Sequence, residues 1–492
     1  MKDGAKSTTS WGFLLPEDQP VCMQRPQEIV LGFLDLGLQV HPDVVSYIAE
    51  QDDLSIIPVI ADTMPPHATV VMTEHIPGFT RERDGMRFLT EAPVDVIYGA
   101  GSHENNGVDF RDFIHYFRDR YNRLSAILRT RKTYAGAMPI GGVAKNSRYY
   151  NMELVLIGMV MSVRNTTKGH RMAVLEDPTG MINILFNKSR EEFAEAERLI
   201  PDEVIAVTGQ LSSDGNLFFA NSLARPDIPI NHAPFLSKTP GKAVFISDVH
   251  VGSNTFLGEA WEKFTAWLHE QSDIGYLLIA GDVVDGIGIY PDQENELTIQ
   301  NIYGQYAAFG DMLRRLPSHI QIVVSPGNHD AVRGAEPQPA LPPQFCENLP
   351  DNVIMVENPA VVKLQGVSVL MYHGRSFDDM IGLIPGASYT RVDEVMVEML
   401  KRRHLTCTYG ERTPIYASRE DRLVIDPIPE IFHTGHVHIS GITKYRGVLA
   451  INAGTWQSQT AFQKQMNIQP TPARAIIVDL QTLEPEVIDF QA

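Results

Sequence analysis

A chain of 492 residues, 43% of them hydrophobic, is too long for one ordinary domain and can bury at least two cores. Its 41 basic residues against 60 acidic ones give a formal charge of −19, which argues against a broadly basic surface and makes any contact with nucleic-acid phosphate local, with bound metal or a more basic partner offsetting the acidic field. Cys22, Cys346 and Cys407 form no Cys-x-x-Cys pair and no apolar stretch reaches about 20 residues, so neither a disulfide framework, a zinc finger nor a membrane span is expected, and a cytoplasmic location fits.

Residues 1–56 hold two short amphipathic patterns, 26–36 and 42–50, separated by the stop signal Gly37. They predict a helical hairpin with too few apolar positions (Ile29, Val30, Phe33, Leu34, Val44, Val45, Ile48) to fold alone, so a packing partner is expected, in this chain or another. Residues 57–108 mix short apolar runs with breakers and read as a linker or lightly structured segment. In 109–147, Phe110, Phe113, Ile114, Phe117, Tyr121, Leu124 and Leu128 share one face of a predicted helix. Its other face carries Arg111, Arg118, Arg120 and Arg123, continued by Arg129, Arg131 and Lys132, and would be solvated or meet DNA.

From 148 to 230 the pattern turns β-rich, with five predicted strands and a helix over 189–199 between the third and fourth, the strand order of an OB-fold barrel. Arg164, Lys168, His170, Arg171 and Phe186 are its candidate nucleic-acid contacts; a barrel used only to dock a protein subunit is the other reading. A Pro-rich linker, 231–240, leads into the last domain, 241–492.

In that domain apolar runs at 243–246, 276–280, 320–324 and 367–371 read as buried strands. Motifs follow in order: Asp248-Val249-His250, Gly281-Asp282-Val283-Val284-Asp285, Gly327-Asn328-His329-Asp330, His373-Gly374-Arg375 and Gly435-His436-Val437-His438. Side chains placed at strand ends converge on one edge of a sheet, and paired Asp and His in this number suit two divalent cations with a bridging carboxylate. Asp282 is the expected bridge, Asp248, His250 and His438 the ligands of one ion, and Asn328, His373 and His436 those of the other. Such mixed nitrogen and oxygen donors suit Mn, Fe, Zn or Co better than calcium, with Mg a further candidate. Metals about 3.5–4 Å apart acidify a shared water and clamp phosphoryl oxygens, so a phosphate ester is the natural substrate. His329 is the candidate general acid, with Asp330 expected to orient its ring, while Asp285, His433 and Arg375 are as consistent with supporting or surface positions as with direct ones. Asn452-Ala453-Gly454-Thr455 is either a turn closing the site or an ordinary strand-end turn.

This motif series resembles the calcineurin-like metallophosphoesterase superfamily from about residue 243 onward. The longer strings GDVVDGIGIYP, GNHDAVRGAEPQPALP and YHGRSFDD are similar to those of small subunits of archaeal family D DNA polymerases. The resemblance implies an α/β (α+β) multidomain chain: a calcineurin-like two-sheet sandwich preceded by an OB-fold barrel and a small N-terminal helical region. It also implies a 3'-to-5' exonuclease that acts on single-stranded or mispaired 3' ends and is partnered with a large polymerase subunit. Asp248, His250, Asp282, Asn328, His373, His436 and His438 match the superfamily's metal ligands, and His329 its acid. A protein or nucleotide phosphatase and a non-catalytic scaffold are the alternatives.

Overall fold

The computed structural model describes residues 25–41, 44–45, 48–49, 54, 56–64, 70–71, 93–99, 109–144, 146–150, 152–406, 408–465 and 467–491. The chain divides into two compact units, residues 1–84 and 85–492. In the first, the helix α1 (Arg25–Asp35) is followed by a parallel pairing of Gln39 and Val40 with Val70 and Val71 and by the helix α2 (Ile56–Thr63). Ile29 and Phe33 of α1 share a buried cluster with Val44, Ile48, Ile57, Ile60 and Val71. Ile57, Ile60 and Val71, from the segment expected to be a linker, thus pack with apolar positions of the expected hairpin, while Leu34 is 50% exposed and much of the hairpin's second arm, 42–50, lies outside the described residues.

Among the described residues, the first strand of the second unit comes from that same segment. Strand β1 (Asp95–Tyr98) pairs antiparallel with residues 361–363, far downstream in the chain. The helix α3 (Phe110–Arg129) forms where the periodicity predicts it, but its buried side chains are Tyr116, Arg120, Leu124, Ser125 and Leu128. Phe110 is 76% exposed. The rotation away from the expected apolar face has an electrostatic cause: Arg120 Nε donates to Asp421 Oδ2 at 2.7 Å, Asp421 also sits 2.8 Å from His404 Nε2, and all three groups are buried. A buried charge is tolerated when paired and hydrogen-bonded. The neighbouring arginines are also used internally, Arg123 on the Asp421 carbonyl, Arg129 on Ala137 O and Arg131 on Arg225 O and Pro226 O.

Five strands, β2 (Glu153–Asn165), β3 (Arg171–Asp177), β4 (Gly180–Phe186), β5 (Val204–Leu211) and β6 (Leu217–Ala224), close a barrel in the order β2-β3-β4-β6-β5. The short helix α4 (Phe193–Glu197) lies between the third and fourth strands. Phe186 is buried in the barrel core and so is not a surface for stacking bases, and Arg171 is engaged by Asn165 and the Leu199 carbonyl; Arg164 and Lys168 remain exposed.

The rest of the unit is built on two six-stranded mixed sheets. One has the order β10-β9-β8-β7-β16-β17, made of β7 (Lys242–Ile246), β8 (Ile274–Ala280), β9 (Gln321–Ser325), β10 (Val353–Met355), β16 (Arg474–Asp479) and β17 (Pro485–Asp489). The other has the order β14-β15-β13-β12-β11-β1, where β11 is Ala360–Leu364, β12 Val367–Met371, β13 Ile431–Thr434, β14 Gly441–Tyr445 and β15 Val448–Asn452. Residues of both sheets, among them Phe245, Leu278, Val369 and Ile451, share one apolar core. The helices α5 (Gly258–Glu270) and α6 (Ile302–Arg314) pack on the far side of the first sheet, and α7 (Phe377–Leu383) and α8 (Val392–Arg402) on the far side of the second. Strands covered on both faces need largely apolar sequence, which is what β7, β8, β12 and β15 carry, while β13 buries His433 and Thr434 beside Ile431 and Phe432. This layering brings the carboxyl ends of β7, β8 and β9 together with those of β12 and β13.

Candidate metal centre

The residues that follow those five strand ends turn sharply out of the sheets. Asp248, His250, Asp282, His436 and His438 all have φ between 49° and 71°, the left-handed region that non-glycine side chains rarely adopt. Each such residue costs of order 1–3 kcal/mol unless its surroundings fix it. Here they do: Asp248 N donates to Gly281 O (3.0 Å), His250 N to Asp282 O (3.0 Å), Trp456 N to Asp248 O (2.9 Å), Thr471 N to His438 O (2.9 Å), and His436 N to Asp248 Oδ2 (2.9 Å). Thr455 Oγ1 also donates to Asp248 O, so the turn after β15 buttresses the first motif. Gly281 is required by contact as well as by φ, since a Cβ there would lie 2.5 Å from His373 Nδ1.

Three imidazoles direct Nε2 inward. His373 Nδ1–H donates to Ala280 O at 2.8 Å, and His250 Nδ1 faces Asp285 Oδ1 at 3.2 Å. These contacts favour a proton on Nδ1, so Nε2 is the atom that would lose its proton to a cation. His438 Nε2 lies 3.2 Å from His250 Nε2 and 3.3 Å from Asp248 Oδ1. Its Nδ1 is 2.7 Å from Gln463 Nε2. A cation on His438 Nε2 would place the ring proton on Nδ1 and require Gln463 to present its oxygen instead.

Asp282 Oδ2 stands between two of these rings, 3.2 Å from His373 Nε2 and 3.8 Å from His250 Nε2, while its Oδ1 accepts the His329 N–H. Asn328 Oδ1 is 3.1 Å from His373 Nε2. His436 packs edge-on against His373, with Nε2 3.4 Å from Asp378 Oδ2. Two sets of donors, Asp248, His250 and His438 in one and Asp282, His373 and His436 in the other, are each positioned to hold a metal ion; His250, Asp285 and His329 form a third set beside them.

The chemistry of the donors fits divalent cations. Asp248 Oδ1 is buried without a well-formed hydrogen bond, its polar neighbours being His438 Nε2 at 3.3 Å and His250 Nε2 at 3.7 Å, so an ionised oxygen there depends on cationic charge from a ring proton or a metal. Burial alone would raise the Asp248 and Asp282 carboxyls, yet the facing histidines hold both well below the usual carboxylate range. Burial would likewise lower His250 and His373, but Asp248, Asp285 and Asp282 raise them to about 10 and about 9. A site so rich in mutually compensating charge is ready to exchange ring protons for metal.

His329 Nδ1–H donates to the Asp285 carbonyl at 2.7 Å, leaving Nε2 as the atom that can hold or release a proton. Asp330 does not orient this ring. Its Oδ2 accepts Gly327 N and Val283 N, its Oδ1 accepts Tyr306 O–H, and burial together with the Asp282 charge pushes its carboxyl up to about 7. Asp330 thus ties the β8 and β9 turns together, because its backbone direction after the Asn328-His329 turn carries the side chain inward beneath the site. His433 is buried on β13, edge-on to Phe245, and belongs to none of the donor sets; Arg375 donates to Gly334 O at 2.7 Å. Gln463 and Gln457 (which donates to Asp285 Oδ1 at 2.9 Å) support the site without any local sequence signal that marks them, and Asp378, at the end of the YHGRSFDD string, faces His436.

Residues 243–440 match the family of B subunits of DNA polymerases alpha and epsilon, and 154–220 match the OB-fold nucleic acid binding domain. Two-sheet domain and barrel are thus similar, respectively, to polymerase B subunits and to an OB-fold nucleic acid binding module. Among relatives, the DNA polymerase II small subunit of Halobacterium salinarum is 40% identical over 437 residues, covering 87% of this chain and 85% of that one. Those of Methanothermobacter thermautotrophicus (42%, covering 77% and 79%) and Archaeoglobus fulgidus (43%, covering 77% of each) are similarly related. The chain belongs to this family, the small subunits of archaeal family D DNA polymerases. Among the described residues no helix is long and apolar enough to cross a membrane.

Proposed function

We propose that this chain is the exonuclease-bearing subunit of a replicative DNA polymerase, removing nucleotides from single-stranded or mispaired 3' ends, and that its two-sheet domain is a calcineurin-like metallophosphoesterase. The carrying observation is two buried carboxylate oxygens that each face histidine Nε2 atoms, Asp248 Oδ1 towards His438 and His250 and Asp282 Oδ2 towards His373 and His250. A non-catalytic scaffold has no need of such an arrangement. Asp248, His250 and His438 would hold one divalent ion, Asn328, His373 and His436 the other, and Asp282 would touch both. Bound there, two such cations supply an acidified water and charge neutralisation for the phosphoryl oxygens.

The protein's own groups do the rest. His329 protonates the leaving 3'-oxygen from Nε2, the Asp285 carbonyl keeping the other ring proton in place. Asp285 also faces His250 Nδ1, so a single residue sets the direction of two rings. Polymerisation resides with a large catalytic subunit, whose surface also supplies the duplex-binding charge that a −19 chain lacks. The barrel, with Phe186 and Arg171 engaged internally, serves that partner at least as well as it serves DNA. The test is degradation of 3'- and 5'-labelled single-stranded DNA by the purified chain with metals varied: mononucleotide release from the 3' end supports the reading, and an intact strand with every metal removes it.

A further inference from the structure

The loop 286–290 lies directly against this site and is apolar where the rest of the acidic chain gives little reason for it to be. Ile287, Ile289 and Tyr290 are 46%, 40% and 38% exposed. Gly286 carries the loop past the catalytic turn so closely that a Cβ would meet His329 O at 2.4 Å, and its φ is +75°. Two fully buried amides hold it. Gln305 accepts Gly286 N at 2.9 Å; Gln293 accepts Ile289 N at 3.0 Å and donates to the Asp285 carbonyl (2.8 Å) and carboxylate (2.9 Å). The same Asp285 carbonyl accepts the His329 Nδ1–H. The loop that carries these exposed apolar side chains is thus anchored through buried glutamines beside the proposed catalytic ring, with Tyr290 further restrained by its hydroxyl bond to Glu296.

Resting on the nuclease reading above, we propose that Ile287 and Tyr290 form a platform on which the base of the unpaired 3'-terminal nucleotide packs, positioning its phosphodiester at His329. Phosphate attraction is weak on a chain of this charge, and base packing on apolar or aromatic side chains supplies affinity that is independent of charge and tolerant of sequence. A terminal base has its ring faces free only when it is unpaired and unstacked, so such a platform selects frayed ends over paired ones. Ile287 and Tyr290 are positioning residues in this account.

The experiment compares two single-stranded oligonucleotides, one ending in a normal 3' nucleotide and one with an abasic 3' terminus, measuring both binding by anisotropy and 3' cleavage by the full chain with Mn(II). The wild type should favour the base-bearing end by roughly tenfold. Ile287→Ser with Tyr290→Ser should bring the ratio close to one, and Ile287→Leu with Tyr290→Phe should keep it. A wild-type ratio near one, or a serine variant that keeps the preference, overturns the platform. So does a serine variant that keeps the ratio but loses co-elution with the large subunit, because the loop is then a protein contact. If the wild type cleaves neither oligonucleotide, the nuclease reading falls, and the binding ratio alone decides whether the platform stands.

Discussion

The His329 backbone N–H donates to Asp282 Oδ1 at 2.8 Å, so the β9 turn holds one oxygen of the carboxylate and leaves the other, Oδ2, facing His250 and His373. Asp282 is thereby fixed by the motif that carries the proposed acid. Asp282→Ala or Asp282→Asn should abolish phosphodiester hydrolysis, because repulsion between two cations is no longer offset, while leaving the fold largely intact. Circular dichroism and metal content read the two effects separately; full activity in a metal-replete Asp282→Ala chain would sink the two-metal assignment.

His329→Ala should retain metal and lose turnover on DNA by roughly 100-fold or more, the usual contribution of a positioned acid. Activated phenolate leaving groups need little protonation, so a p-nitrophenyl phosphodiester should be cleaved nearly as by the wild type. An equal fall on both substrates would assign His329 to metal or substrate binding.

Metal affinity should rise with pH. Against the effect of burial, Asp248, Asp285 and Asp282 push His250 up to about 10 and His373 up to about 9, so both rings hold protons at neutral pH that a cation has to displace. Apparent affinity should therefore fall as pH falls below about 10, more steeply below about 9, and level off above about 10. Calorimetry in buffers of different ionisation enthalpy reads the protons released; binding with no proton release at about pH 7.5 contradicts the charge state described here.

Asp421→Ala should cost about 3–5 kcal/mol, because it leaves Arg120 and His404 buried without their carboxylate. The measurement is urea unfolding of the full chain, and a change below about 1 kcal/mol would show that Arg120 finds another partner.

Much of this architecture was legible in sequence because burial on both faces forces largely apolar strands, and because the five β-rich runs with one helix between the third and fourth mark the OB-type barrel. Asp-x-His and His-x-His pairs stand out at strand ends for the same reason. The residues misread were those whose neighbours are distant in the chain. Arg120 looks solvated until Asp421 is placed beside it, 301 residues away. Strand β1 has only four residues with alternating exposure, and its pairing with β11 decides what it is. Asp330 sits next to His329 in sequence but points to Gly327, Val283 and Tyr306, since adjacent side chains on a tight turn diverge.

Assembly with a large polymerase subunit is the remaining expectation. Co-expression followed by size-exclusion chromatography should give a single hetero-oligomeric peak at micromolar concentration. Separate migration would place the replicative role in doubt; unchanged assembly after deletion of residues 1–84 would assign the contact to the second unit.

The most direct test of the two-cation centre is a titration of metal-stripped chain with Mn(II), following 3'-nucleotide release against ions bound per chain. Activity should appear with the second equivalent and be absent at the first. Full activity with a single bound ion, or none with two, would contradict the account.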